Sequence, residues 1–169
     1  MLHGTDDPSR LERQFDSLGC VVTDNDNVKA ISDEIKLHET KIVITKDFSW
    51  HKDSPRLARA KEFFQTWLNA WSSKDTATYV ESYADEYRKE GRNRLAFLKY
   101  KESLNKMYDT ILVTATDVHY FFHEKYDLIS FTQHYKSTFP GGAAAYNKSA
   151  KKNLYIQERN GFYRILVED

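Results

Sequence analysis

Ser54-Pro55-Arg56-Leu57-Ala58-Arg59-Ala60-Lys61-Glu62-Phe63-Phe64-Gln65-Thr66-Trp67-Leu68-Asn69-Ala70-Trp71-Ser72-Ser73-Lys74-Asp75 is the stretch on which the fold turns. Serine followed by proline is a strong helix start: the hydroxyl caps an open backbone N–H and the ring presets the first helical φ. Leu57, Ala60, Phe63, Phe64, Trp67, Leu68 and Trp71 then recur at three and four residues, giving one broad apolar face. The spacing predicts a helix to about Ser73. Ser72-Ser73-Lys74-Asp75 breaks it and caps a second short helix through Tyr83, and a third runs from about Asn93 to Tyr108.

Beyond these helices the period changes from three or four to two. Ile111–Phe122, Asp127–Phe139, Lys152–Glu158 and Phe162–Val167 read as strands, and Asn160-Gly161 between the last two is a hairpin signal. Pro140 to Ala145 reads as a longer loop. Helices first and antiparallel strands afterwards predict an α+β fold with helices packed on a curved antiparallel sheet. Eleven Tyr, ten Phe and three Trp supply the area for its core.

Before Ser54 the character differs. Residues 1–50 carry a net charge of −4 and the remainder +4, within a chain of 169 residues whose total is zero. That asymmetry predicts two units. Zero net charge gives no electrostatic case for a nucleic-acid partner, and no stretch has the apolar length to cross a bilayer. In the first unit, Asp6-Asp7-Pro8-Ser9 is a turn, Gly19 to Val22 a short strand, Asp24 to Asn27 a helix cap, Val28 to Leu37 a helix and Lys41 to Thr45 a β-branched strand.

The single cysteine, Cys20, stands in Ser17-Leu18-Gly19-Cys20-Val21-Val22, and His3-Gly4-Thr5 lies upstream. A thiol near neutral pH needs a base to supply its thiolate, and an imidazole is the usual one. Gly4 and Gly19 remove a Cβ beside each reactive side chain, and the amides of Gly19 and Cys20 are candidates for holding an oxyanion. The plain alternative is a lone histidine and a lone cysteine with structural roles, Ser17 being a turn residue.

His-Gly-Thr, a short loop and Ser-x-Gly-Cys with two apolar residues after it resemble the active-site signature of the YkuD-type L,D-transpeptidases. Val21-Val22 and the run Asp24-Asn25-Asp26-Asn27 resemble most closely the cell-shape-determining L,D-carboxypeptidase branch, although many transpeptidases carry His or Arg at the place of Leu18 and Arg at that of Val22. The resemblance implies Cys20 as nucleophile, His3 as base, Gly4 as the carbonyl that orients the imidazole, and Gly19 and Ser17 as oxyanion or supporting residues. It further implies peptidoglycan stem peptides as substrate, no cofactor, and a periplasmic location. It covers about the first 50 residues, so residues 1–48 read as the C-terminal part of a mostly-β catalytic domain in an N-terminally truncated chain. Residues 49–53 read as a linker.

Trp67 to Asp75, with Tyr79, Tyr83 and the trailing strands, resembles the nuclear-transport-factor-2-like (NTF2-like) cone, the domain that accompanies the catalytic one in that branch. The expectation for residues 54–169 is therefore an NTF2-like domain acting as a binding or positioning module. Trp67, Trp71, Tyr79, Tyr83, Tyr108 and His134 are candidates to line a pocket in it; the alternative is that these aromatics fill the core. The sequence singles out no carboxylate as a base. Lys99, Lys101, Lys106, Lys148, Lys151 and Lys152 form either a surface for an anionic wall polymer or a solvated face. His119 and His123 are four apart, which on a strand sets them on one face but far from each other, so no metal site is expected. The reading of the whole is an enzyme acting on stem peptides, or alternatively a non-catalytic binding module carrying an inert catalytic remnant. The sequence does not fix the oligomeric state.

Overall fold

The computed structural model describes residues 2–13, 19–36, 40, 49 and 53–169. The chain divides into two compact units, residues 1–49 and 50–169.

In the first unit, β1 (Leu2–His3) and β2 (Val21–Val22) pair in parallel, Leu2 with Val21 and His3 with Val22. A single 3₁₀ turn, Pro8–Leu11, is capped by the Asp7 carboxylate, which accepts from the Ser9 N–H at 3.0 Å. Helix α1 (Asn25–Glu34) follows; the Asp24 carboxylate accepts from the Asn27 N–H at 2.8 Å, as its cap position requires. The helix stops at Glu34, short of the expected Leu37, because Ile35 already has extended backbone. The strand expected over Lys41 to Thr45 lies outside the described residues.

In the second unit, helix α2 (Pro55–Ser72) starts at the Ser54 cap, whose hydroxyl accepts from the Leu57 N–H at 3.1 Å. Asp75 caps α3 (Thr76–Glu81). A hairpin that the sequence reading missed, β3 (Arg88–Lys89) and β4 (Arg92–Asn93), leads into α4 (Arg94–Met107), capped by Asn93.

Four strands complete the domain: β5 (Thr110–Phe122), β6 (Asp127–Thr138), β7 (Ala144–Arg159) and β8 (Phe162–Glu168). They form one antiparallel sheet in the order β5-β6-β7-β8. Strand β7 begins at Ala144 rather than Lys152, so the expected loop from Pro140 contracts to a turn closed by the Phe139 N–H donating to the Ala143 carbonyl at 2.8 Å. Asn160 and Gly161 both take positive φ and form the tight β7–β8 turn.

Alternation sorts the sheet. Ile111 and Val113, Ile129 and Phe131, Leu154 and Ile156, and Tyr163 and Ile165 point to one face, where Ala60, Phe64, Trp67, Leu68 and Trp71 of α2 pack on them. Each such fully buried apolar side chain contributes about 1.5–3 kcal/mol. At one end of the core the buried Asp127 carboxylate accepts from the Tyr163 hydroxyl at 2.9 Å and from the Arg56 guanidinium, tying α2 to the sheet.

Candidate functional site

Two groups of side chains carry chemistry, one in each unit. In the first, the β1–β2 register brings the histidine and the cysteine segments side by side. His3 pairs with Val22, its carbonyl accepts from the Thr23 N–H at 3.2 Å, and Cys20 stands one residue before β2. Both His3 and Cys20 are half-buried. The Nδ1 of His3 lies 2.7 Å from the Gly4 carbonyl oxygen. A carbonyl only accepts, so this bond places the ring proton on Nδ1 and leaves the Nε2 lone pair available.

The glycines have local reasons to be glycine. A Cβ on Gly4 would stand 1.9 Å from Oδ1 of Asn25, the first residue of α1. Gly19 has φ +110°, which side chains avoid, and it sets the turn into Cys20. Ser17 lies outside the described residues. No residue of this unit is buried among those described.

In the second unit, Tyr83 is the centre of a buried hydroxyl network. Trp67 Nε1–H donates to its oxygen at 3.2 Å, the Tyr79 hydroxyl lies at 2.7 Å, and its own hydroxyl donates to Glu168 Oε2 at 3.0 Å. An ionised carboxylate only accepts, so the Tyr83 proton goes to Glu168 and Tyr79 donates to Tyr83. Burial, and then the nearby carboxylate, push the Tyr79 and Tyr83 hydroxyls well above their ordinary range. Both stay protonated as donors at neutral pH.

Glu168 itself is 7% exposed. Its Oε1 accepts from Lys89 Nζ at 3.1 Å and Lys152 Nζ at 2.9 Å. Burial raises its pKa, but Lys152, Lys101 and Lys89 outweigh that and hold it at about 2. Lys101 Nζ, from α4, sits 4.0 Å from the centre of the Trp71 ring and 5.3 Å from that of Phe97. Burial first, then repulsion from Lys152 and Lys89, lowers its pKa to about 8 despite Glu168. Three ammoniums thus face one carboxylate against an aromatic wall. Such an arrangement favours a further anion.

The structure brings together Trp67, Trp71, Tyr79 and Tyr83 of the expected pocket residues. It does not add the other two. Tyr108 caps the end of α4 and its ring meets Phe139 at 5.7 Å. His134 is a correction: it belongs to the face of β6 opposite Phe131, Gln133 and Tyr135, where Thr116 meets its Nε2 at 2.9 Å and Ser149 its Nδ1 at 2.7 Å. Sequence reasoning missed Lys89 and Glu168, and it read Lys101 and Lys152 as parts of a surface patch. No group of three or more His, Cys, Asp or Glu suited to a metal occurs among the described residues.

Helices laid on a four-stranded antiparallel sheet, with a polar group enclosed between them, define an NTF2-like domain. The model of the Cds6 C-terminal NTF2-like domain matches residues 59–169, and the chain belongs to that family. Among solved structures, Bd1075 from Bdellovibrio bacteriovorus is 27% identical with a TM-score of 0.80, over 99% of this chain and 59% of that one. The helical cell shape determining protein Pgp2 from Campylobacter jejuni is 20% identical with a TM-score of 0.66, again over 99% of this chain and 59% of that one. This chain therefore spans less than two thirds of either. Aln2 from a Streptomyces species, 11% identical with a TM-score of 0.59, matches 68% of this chain and 89% of its own, and shares the fold alone. No curated protein sequence matches the chain. Among the described residues no helix is long and apolar enough to cross a membrane.

Proposed function

We propose that the chain processes peptidoglycan stem peptides in the periplasm, as an L,D-carboxypeptidase or L,D-transpeptidase serving cell-wall remodelling and cell shape, with its NTF2-like domain holding the wall substrate. His3 Nε2 takes the Cys20 proton, and the thiolate attacks the carbonyl of the third stem residue. Amides at Gly19 and Cys20 hold the oxyanion, and the imidazolium returns its proton to the leaving amine. Water then releases the acyl group, trimming a tetrapeptide to a tripeptide, or a second stem amine makes a cross-link. The observation that carries this reading is the His3–Gly4 hydrogen bond beside the parallel β1–β2 pair, which fixes the imidazole tautomer that a thiol base needs. The net positive group at Lys89, Lys101, Lys152 and Glu168 supports the binding role, because stem peptides carry carboxylates.

A second reading, a binding module with an inert catalytic remnant, is favoured by the absence of buried residues among those described in the first unit. Intact mass after incubation with a muropeptide tetrapeptide, and separately with a carbapenem, decides between them. The enzyme gives a Cys20-dependent adduct and tripeptide, both lost in Cys20→Ala. The remnant gives neither.

A further inference from the structure

Two of the turns that join the four strands are polar in the ordinary way, with Glu124 and Lys125 between β5 and β6 and Asn160 and Gly161 between β7 and β8. The β6–β7 turn differs. From Ser137 to Asn147 no residue is charged, and the tip, Phe139-Pro140-Gly141-Gly142-Ala143-Ala144-Ala145-Tyr146, has the Tyr146 hydroxyl as its one polar side-chain group. Pro140 to Ala144 are exposed, Phe139 is 41% exposed and Tyr146 45%. Met107, the last residue of α4, is 51% exposed, and its neighbour Tyr108 sets its ring against that of Phe139, so it belongs to the same end of the domain. The turn also closes on itself. The Phe139 N–H donates to the Ala143 carbonyl, the Gly142 N–H donates to the Phe139 carbonyl at 3.0 Å, and Pro140 has no N–H. Leaving water costs such a turn less than one with open donors.

Lysines flank this tip on both faces of the hairpin. Lys136 stands on the face of β6 opposite Tyr135. Lys148 is the register partner of Tyr135 on the other face, with its ammonium 5.4 Å from the centre of the Tyr146 ring. Lys106, in the last turn of α4, adds a third positive charge. Asp109, whose N–H donates to the Thr138 carbonyl at 2.8 Å, brings one negative charge to the same end. Lys136 lies about 10 Å back along the strand from Phe139, a distance that a lysine stem largely spans. An apolar tip with cations one side-chain length behind it matches the layering of a bilayer surface. Aromatic rings settle at the headgroup boundary, and lysines reach anionic headgroups. A polymer of sugars or peptides would use the lysines but offers nothing to Phe139 and the alanines. We propose that the β6–β7 hairpin docks the chain, tip first, on an anionic phospholipid bilayer, so that the protein lies on the membrane surface. The inference uses neither Cys20 nor the Lys101 group and stands apart from the stem-peptide reading.

The test is co-sedimentation of the full chain with vesicles of phosphatidylcholine alone and of phosphatidylcholine with about one third phosphatidylglycerol, at low and high salt. The anionic vesicles are expected to bind the chain at least about tenfold more tightly than the neutral ones, and high salt to release it. Lys136→Gln with Lys148→Gln weakens binding about 25-fold, since one lysine near such a surface contributes about fivefold. Phe139→Ser with Tyr146→Ser keeps every charge and weakens it about tenfold. If that apolar pair fails to fold, the lysine pair and the neutral vesicles decide alone. No sedimentation with anionic vesicles, or equal sedimentation with neutral ones, overturns the inference. So does anionic binding that both double variants leave unchanged, which would place the contact elsewhere. Light scattering without vesicles covers a rival occupant: a dimer that the apolar double variant dissolves overturns the inference in favour of a second copy of the chain. Each of these failures leaves the stem-peptide reading standing, because adduct and tripeptide formation are measured without vesicles.

Discussion

Lys101, midway along α4, holds its ammonium 4.0 Å from the centre of the Trp71 ring. The contact is a cation–π pair, yet burial and the two other lysines still lower the pKa of Lys101 to about 8. The folded chain therefore holds this charge at a cost. Lys101→Met keeps the stem against the aromatics and removes the charge. The expected outcome is a thermal midpoint equal to or above that of the wild type, together with loss of anionic-peptide binding. Differential scanning fluorimetry and a tryptophan-fluorescence titration with a muramoyl tetrapeptide on the same samples check both, and a midpoint that falls with the affinity would make Lys101 a structural residue instead.

Tyr83 and Tyr79 look interchangeable in sequence but not in the network. Tyr83→Phe strands three partners at once: the Trp67 N–H, the Tyr79 hydroxyl and Glu168 Oε2. Tyr79→Phe removes only one donor to Tyr83. An unsatisfied buried group costs about 1–3 kcal/mol, so Tyr83→Phe is expected to be the more destabilising by at least about 1 kcal/mol. Urea denaturation of the two variants measures the difference.

The helices were legible because their caps and apolar faces are local signals; Ser54, Asp75 and Asn93 all cap as their positions imply. Lys152, expected on a surface or solvated face, carries a signal for the opposite placement, since it continues the alternation of Leu154 and Ile156 along β7. The same alternation along β6 sets His134 opposite Phe131. Glu168 could not be read this way. A bulge between Tyr155 and Ile156 shifts the β7–β8 register, so that Glu168 turns inward beside Leu154 and Val167 is left 47% exposed. The start of β7 was hidden because Ala144 to Ala150 offers polar and small residues where a strand pattern needs apolar ones. Lys89, Lys101, Lys152 and Glu168 lie far apart in the chain, and only the sheet register and α4 unite them.

Gly4 and Asn25 make a prediction within the first unit. An alanine at Gly4 meets Asn25 Oδ1 at 1.9 Å and Cγ at 3.0 Å, but the Asn25 Cα only at 3.4 Å. Gly4→Ala therefore forces the Asn25 side chain from its rotamer, at about 0.5–1.5 kcal/mol, and disturbs the carbonyl that holds His3. Carbapenem acylation of Cys20 is expected to slow by about two- to tenfold in Gly4→Ala. Asn25→Ala in the same chain removes both clashing atoms and returns the rate toward the wild type. Mass spectrometry of the adduct over time follows both.

Glu168 sets the acid limit of the NTF2-like domain. Its carboxylate is held at about 2 in the folded chain, against an ordinary 4.5, because its three lysines outweigh its burial. A carboxylate lowered on folding contributes stability that is complete above the unfolded value and is lost as pH falls through the folded one. Urea midpoints are therefore expected to decline between about pH 4.5 and 2 from this group. Glu168→Gln removes that slope. It also leaves Lys89, Lys152 and Lys101 facing one another without a counter-charge, a loss of about 3–5 kcal/mol at neutral pH, as for any buried pair deprived of one partner. The two effects separate in one experiment: the variant starts lower at pH 7 and falls less steeply on acidification. A variant that matches the wild-type slope would assign the acid sensitivity to another carboxylate.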